Sequence, residues 1–244
     1  MAELELKFYD LGYFLIEGSK RAEHISTEIM PEIIFSISDC HSEFHPPMAM
    51  LSGVREGGFS IDNYQKRLDL SDQTFLEAMS KVDTLFKDQE FGWNSIFFTQ
   101  VEAQSFAENY LQKIDNLKFF QAIIPVQISN CFLRKTESKT FIPHGLHTAI
   151  SRQKDFYLGT DNLTGYEIVG YDMGDFHSFV CYSLENEFQK EINVQINENG
   201  LISDFDDAMK AVDYCNDQFT AIGKLETTWF AVGLCEIPLN MVSL

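Results

Sequence analysis

The sequence is short of the features that mark linkers, membranes and leaders. Only 6 of its 244 residues are proline, and no stretch is enriched in Pro, Gly and Ser together. It has no repeat of 20 to 50 residues and no low-complexity run, so an array or solenoid is excluded. Nowhere do 18 uncharged apolar residues follow one another, as a spanning helix requires. The opening MAELELKFYD lacks the basic stretch and the apolar run of a secretory signal.

Basic residues are also scarce. Lys and Arg number 18 against 37 Asp and Glu, a formal net charge of -19. A phosphate backbone would be repelled by that field, and so would an anionic bilayer surface, which sets nucleic acid and membranes aside as partners. The five cysteines, Cys40, Cys131, Cys181, Cys215 and Cys235, form no CxxC pair. Their odd number and wide spread suit reduced, mostly buried thiols of a cytoplasmic protein rather than a zinc site or a redox couple. No phosphate-cradling loop, GxSxG elbow or HExxH motif occurs, and no cofactor is implied.

What the chain has is apolar material and acid. Hydrophobic residues make up 45% and 22 are Phe, enough to pack a core despite the charge. The charge is uneven. Residues 113–154 carry seven bases against two acids, whereas residues 161–217 carry thirteen acids against Lys190 and Lys210 alone.

Hydrophobic periodicity predicts strands at residues 4–9 and 32–38, then helices at 71–87 and 99–116, the second opened by a Thr99/Glu102 capping box. Strand character returns at 93–98 and 119–129. In the C-terminal half the reading is a strand at 166–171, a helix capped by Asp175 and running to about Lys190, and a strand at 192–196. An Asn-Gly turn over 197–200 precedes a helix opened by Ser203 and Asp206, and residues 229–239 form a strand apolar on both faces. Alternating strands and helices give an α+β or α/β layered sandwich, a mixed sheet with helices packed against it. The length fits a single domain over 1–244, with a subdomain split at the polar segment 134–143.

Three constellations carry reactive side chains. Asp39, Cys40, His41 and His45 hold metal-type donors, but Pro46 and Pro47 break the helix that would align the two imidazoles, so no metal site is assigned. His144 and His147 sit among Arg134, Lys135, Lys139, Arg152 and Lys154, a setting for a small anion or for proton transfer. Asp172, Asp175, His177 and Cys181 lie where a strand gives way to the expected helix. A four-residue spacing on that helix would bring thiol and imidazole together as an activated pair, with Asp172 as a further catalytic candidate.

Three functions follow. The first is an acidic cytoplasmic binding protein of the immunity or inhibitor type that neutralises a basic protein partner, for example a nuclease-like toxin whose own site must be basic to hold phosphates. Its surface would be Glu185, Glu187, Glu191, Asp207, Asp213 and Asp217. The second is a small hydrolase-like enzyme using His177 with Asp172 or Cys181. The third is a scaffold or subunit recognised through an apolar patch. Oligomeric state is not encoded in any of these features.

Overall fold

From Trp229 to Cys235 seven consecutive residues are buried, with no alternation between inside and outside. A strand of that kind needs cover on both faces, and it lies inside a sheet. The computed structural model describes residues 7–38, 61–92, 95–125, 155–157, 163–172, 175–221 and 228–239. Its strands are β1 (Lys7–Glu17), β2 (Ser19–Lys20), β3 (Ile33–Ile34), β4 (Leu117–Pro125), β5 (Asp155–Tyr157), β6 (Gly165–Asp172), β7 (Asp175–Ser178) and β8 (Thr228–Ile237). Its helices are α1 (Ile61–Leu68), α2 (Asp72–Lys87), α3 (Gln100–Tyr110), α4 (Glu185–Glu191) and α5 (Phe205–Ala221).

Six strands join in the order β5-β1-β4-β8-β6-β7, and each neighbouring pair is antiparallel. With no parallel pair among the described strands, the fold is α+β. Strand alternation then sorts the core. On one face, Ile123, Ile168, Trp229 and Ala231 pack with Ala208, Ala211 and Cys215 of α5 and with Phe179 and Phe188. Further along the same face, Leu15 and Phe119 pack beneath α2 and α3 against Val82 and Phe106. Phe14, Phe120, Phe230 and Val232 point the other way, into a third cluster with Ile37 and Ile96.

β1 changes partner partway along. Its first residues, Lys7 to Tyr9, pair with β5, whereas Tyr13 exchanges backbone hydrogen bonds with Phe97. A bulge between Asp10 and Gly12 separates the two stretches. Bulges bend a strand in this way, and glycine accepts the backbone they need. Gly12 has φ +125°, and a Cβ there would lie 2.5 Å from the Phe97 carbonyl oxygen.

Helices α2 and α3 begin where expected, with Ser71 and Thr99 hydroxyls accepting the amides of Thr74 and Glu102. Both sites suit short oxygen-bearing side chains that satisfy otherwise unpaired amides. Helix α3 stops at Tyr110 rather than Asn116, with Asn116 in the left-handed region at φ 56° just before β4. The expected strand at 93–98 is reduced, among its described residues, to bridges of Phe97 with Phe91 and Tyr13, beside a left-handed Ser95. At 32–38 only Ile33 and Ile34 are in a strand.

The largest correction falls at residues 175–190. In place of one helix, the chain forms edge strand β7, a 3-10 turn at Phe179–Tyr182, and then α4. Phe176 and Ser178 are buried while His177 between them is not, a two-residue alternation that suits pairing with β6. Ser178 caps the turn, and Ser183 at φ 55° ends it. The strand expected at 192–196 is likewise absent. Asn193 adopts φ 54°, and the Val194 amide turns back to the Phe188 carbonyl at 2.9 Å. The polar segment 134–143 lies outside the described residues.

Candidate functional site

Glu167 is 1% exposed, although it is a carboxylate set between Tyr166 and Ile168 inside β6. It stands opposite Val232 of β8, on the sheet face that also carries Val169 and Phe230. The Ser36 hydroxyl donates to Glu167 Oε1 at 2.5 Å and the Ile37 amide to Oε2 at 3.0 Å. Ser178, next to Glu167's strand on β7, also donates to this carboxylate. Burial pushes the Glu167 carboxyl above its ordinary value, and the three donors offset that only in part. The network continues outward. The Ser38 amide donates to Ser36 Oγ, and the Ser38 hydroxyl donates to the Phe176 carbonyl at 2.8 Å and lies 3.6 Å from Cys181 Sγ.

Cys181 therefore meets the rim of this network through Ser38. His177 sits on β7 at the register of Gly170, its ring edge toward Tyr182 at 6.5 Å, and Tyr182 in turn meets Trp229 at 5.7 Å. Because His177 belongs to a strand and Cys181 to a 3-10 turn, the shared helical face expected for a thiol–imidazole pair does not exist. Asp172 pairs with Asp175 in the β6–β7 hairpin, two positions beyond the Gly170–His177 pair. The Asp39 to His45 and His144/His147 constellations lie outside the described residues. Among the described residues no three His, Cys, Asp or Glu side chains gather as metal ligands.

The acidic residues separate into two groups. Glu185 is fully buried, and its Oε1 accepts the Ser26 amide at 3.0 Å. It ties residues 19–38 to the core and is corrected here from a surface group to an internal one. Glu187, Glu191, Asp207, Asp213 and Asp217 remain at least partly exposed. Phe188 and Tyr214 meet edge to face at 6.1 Å and hold α4 against α5. Tyr214 thereby comes under Glu187 and Glu191, and its hydroxyl pKa is raised first by burial and then by those two carboxylates.

Asp204, not Ser203, caps α5, its Oδ1 accepting the amides of Asp206 and Asp207. Lys210 pairs with Asp207 at 2.5 Å.

Sequence reasoning passed over Glu167 and Asp10. Glu167 was signalled by a lone carboxylate inside an apolar strand, a placement that demands partners from elsewhere in the chain. Asp10 gave no such signal, because its role depends on the bulge. No helix among the described residues is long and apolar enough to cross a membrane. The exposed large hydrophobics among them are Leu76 and Val101. The chain matches no protein-family model, and neither curated proteins nor solved structures include a significant match to it.

Proposed function

We propose that this is an acidic cytoplasmic binding protein that neutralises a basic protein partner, of the immunity or inhibitor type, with a nuclease-like toxin as the kind of target. The observation that carries the reading is the joining of α4 to α5 through Phe188 and Tyr214. It sets Glu187 and Glu191 around a partly exposed tyrosine, with Asp213 and Asp217 exposed along the same helix as that ring. Tyrosine is a frequent anchor at the centre of protein interfaces, and surrounding charge steers an oppositely charged partner into register. Lys190 and Lys210 are the bases on these two helices, and Lys210 is engaged by Asp207. The surface is therefore Glu187, Glu191, Asp207, Asp213 and Asp217 around Tyr214, without Glu185.

The test is affinity capture from lysate of the source cells on the immobilised protein, washed at low and then high salt. A single basic protein released by salt, and not retained by a D213K/D217K variant, supports the reading. Retention that survives both high salt and charge reversal sinks it.

A further inference from the structure

The helices cover one face of the sheet in two blocks, and the floor between the blocks is polar. Towards α5 the sheet contributes Phe8, Ile123 and Ala231, and towards α2 and α3 it contributes Leu15 and Phe119. At the boundary a row runs across three strands, with Tyr13 of β1 opposite Gln121 of β4, and Gln121 opposite Cys235 of β8. Directly opposed residues of an antiparallel pair share a face. Asp10 stands in the adjoining row, opposite Ile123. Asp10 and Tyr13 are three residues apart, a spacing that strict alternation sets on opposite faces, and the bulge between Asp10 and Gly12 returns them to the same one.

Solvent reaches this floor. Asp10, Tyr13 and Gln121 are each partly exposed, whereas Phe8, Ile123, Leu15 and Phe119 on either side are at most 4% exposed. Asp10 accepts from three neutral donors: the Gly12 amide at 2.9 Å, the Tyr13 hydroxyl at 3.4 Å and the Gln121 side chain. A carboxylate has about four lone-pair positions, and a hydroxyl bond of 3.4 Å is a weak one, so Oδ2 has capacity for a stronger donor. The Tyr13 oxygen and the Gln121 carbonyl are further acceptors of the same sense. The Tyr13 ring lies against Phe119 at 5.9 Å, which makes one wall aromatic.

We propose that Asp10, Tyr13 and Gln121 form a binding site for a protonated alkylamine, its ammonium held by Asp10 Oδ2 and the Tyr13 oxygen and its carbon chain against the apolar side chains bordering the row. Convergent acceptors with one negative charge select a group that only donates, and an ammonium is such a group. The aromatic wall adds attraction for the same charge. The bulge is then the device that aims the carboxylate into the site, a use bulges serve beside functional sites. The ammonium belongs either to a free small amine or to a lysine carried by another protein. The site uses none of the acidic residues on α4 and α5 and does not rest on the basic-partner reading.

The test adds n-butylammonium or tetralysine to the whole chain, against sodium chloride of equal ionic strength, and follows the Gln121 side-chain amide and the Asp10 carboxyl by NMR. Saturable shifts of both signals that sodium chloride does not reproduce are expected. Followed at Gln121, the affinity should fall about ten-fold or more in Asp10→Asn and about five-fold in Tyr13→Phe, as loss of a charged and of an ordinary hydrogen bond implies. It should be retained in D213K/D217K. Saturation by butylammonium assigns the site to a free amine, and saturation by tetralysine alone assigns it to a protein lysine. Signals unmoved by both probes, or moved equally by sodium chloride, overturn the proposal. So does affinity unchanged in Asp10→Asn or abolished in D213K/D217K. If Asp10→Asn does not fold, Tyr13→Phe decides in its place, and unchanged affinity there removes the site.

Discussion

Asp10 and Gly12 are bonded to each other across the bulge in β1, the Gly12 amide donating to Asp10 Oδ1 at 2.9 Å. The other carboxylate oxygen accepts the Tyr13 hydroxyl at 3.4 Å. One short side chain thus fixes the point at which β1 leaves β5 and takes up Phe97.

Replacing Gly12 by alanine should be costly. A Cβ would strike the Phe97 carbonyl at 2.5 Å and the Ile96 side chain at 2.6 Å, on a backbone with φ +125°. A loss of about 2 to 4 kcal/mol is expected in urea unfolding, combining left-handed strain with steric displacement. A loss under about 0.5 kcal/mol, the range of ordinary surface changes, would show that the strand shifts freely.

Asp10 gives a pH dependence of defined sign. Burial raises its carboxyl above the ordinary 3.8, with the Gly12, Gln121 and Tyr13 hydrogen bonds opposing. A raised carboxyl contributes stability that is complete below the unfolded value and is lost as pH climbs through the folded one. The stability of Asp10→Asn relative to the natural protein should therefore improve as pH rises from near 3.8. Unfolding curves of the two proteins at a series of pH values read this directly, and a difference independent of pH contradicts it.

The thiols should react in order of access. Cys215 and Cys235 are buried, and burial raises both, Cys235 to about 11 with Asp10 adding to the effect. Cys181 is partly exposed. Reaction requires thiolate and access, so mass mapping after brief alkylation should find Cys181 modified well before Cys215 or Cys235. Both of those should label fully in denaturant, and early labelling of Cys215 in the native protein would contradict its placement on the buried face of α5.

Capping offers a local check. Asp204 Oδ1 accepts two amides at the start of α5, at 2.9 and 3.1 Å. Asp204→Ala should cost about 1 kcal/mol, whereas Ser203→Ala should cost less because Asp204 performs the capping. Equal losses would return the cap to Ser203.

Much of the fold was legible because local pattern and tertiary role agree. Ser71 and Thr99 announce helices that form, and the unbroken apolar run at Trp229 announces a strand buried on both faces. The pattern at 175–190 misled because Phe176, Phe179, Val180, Leu184 and Phe188 also satisfy a helical spacing. Pairing of β7 with β6 and the left-handed Ser183 override it. The candidate site was legible only in part. That Glu187, Glu191, Asp213 and Asp217 stay at least partly exposed was legible from charge alone, while the burial of Glu185 depends on Ser26, a partner 159 residues away in sequence.

The strand order also sets a timetable. β1 pairs with β4, β4 pairs with β8, and β8 receives β6, so the middle of the sheet combines segments separated by about 60 to 120 residues, a topology whose closure is slow. During synthesis β1 and β4 wait beside an open edge until β8 emerges. An unfilled edge of that kind invites pairing with other chains. A nascent chain halted before Thr228 should therefore depend on chaperones far more than the full-length protein does.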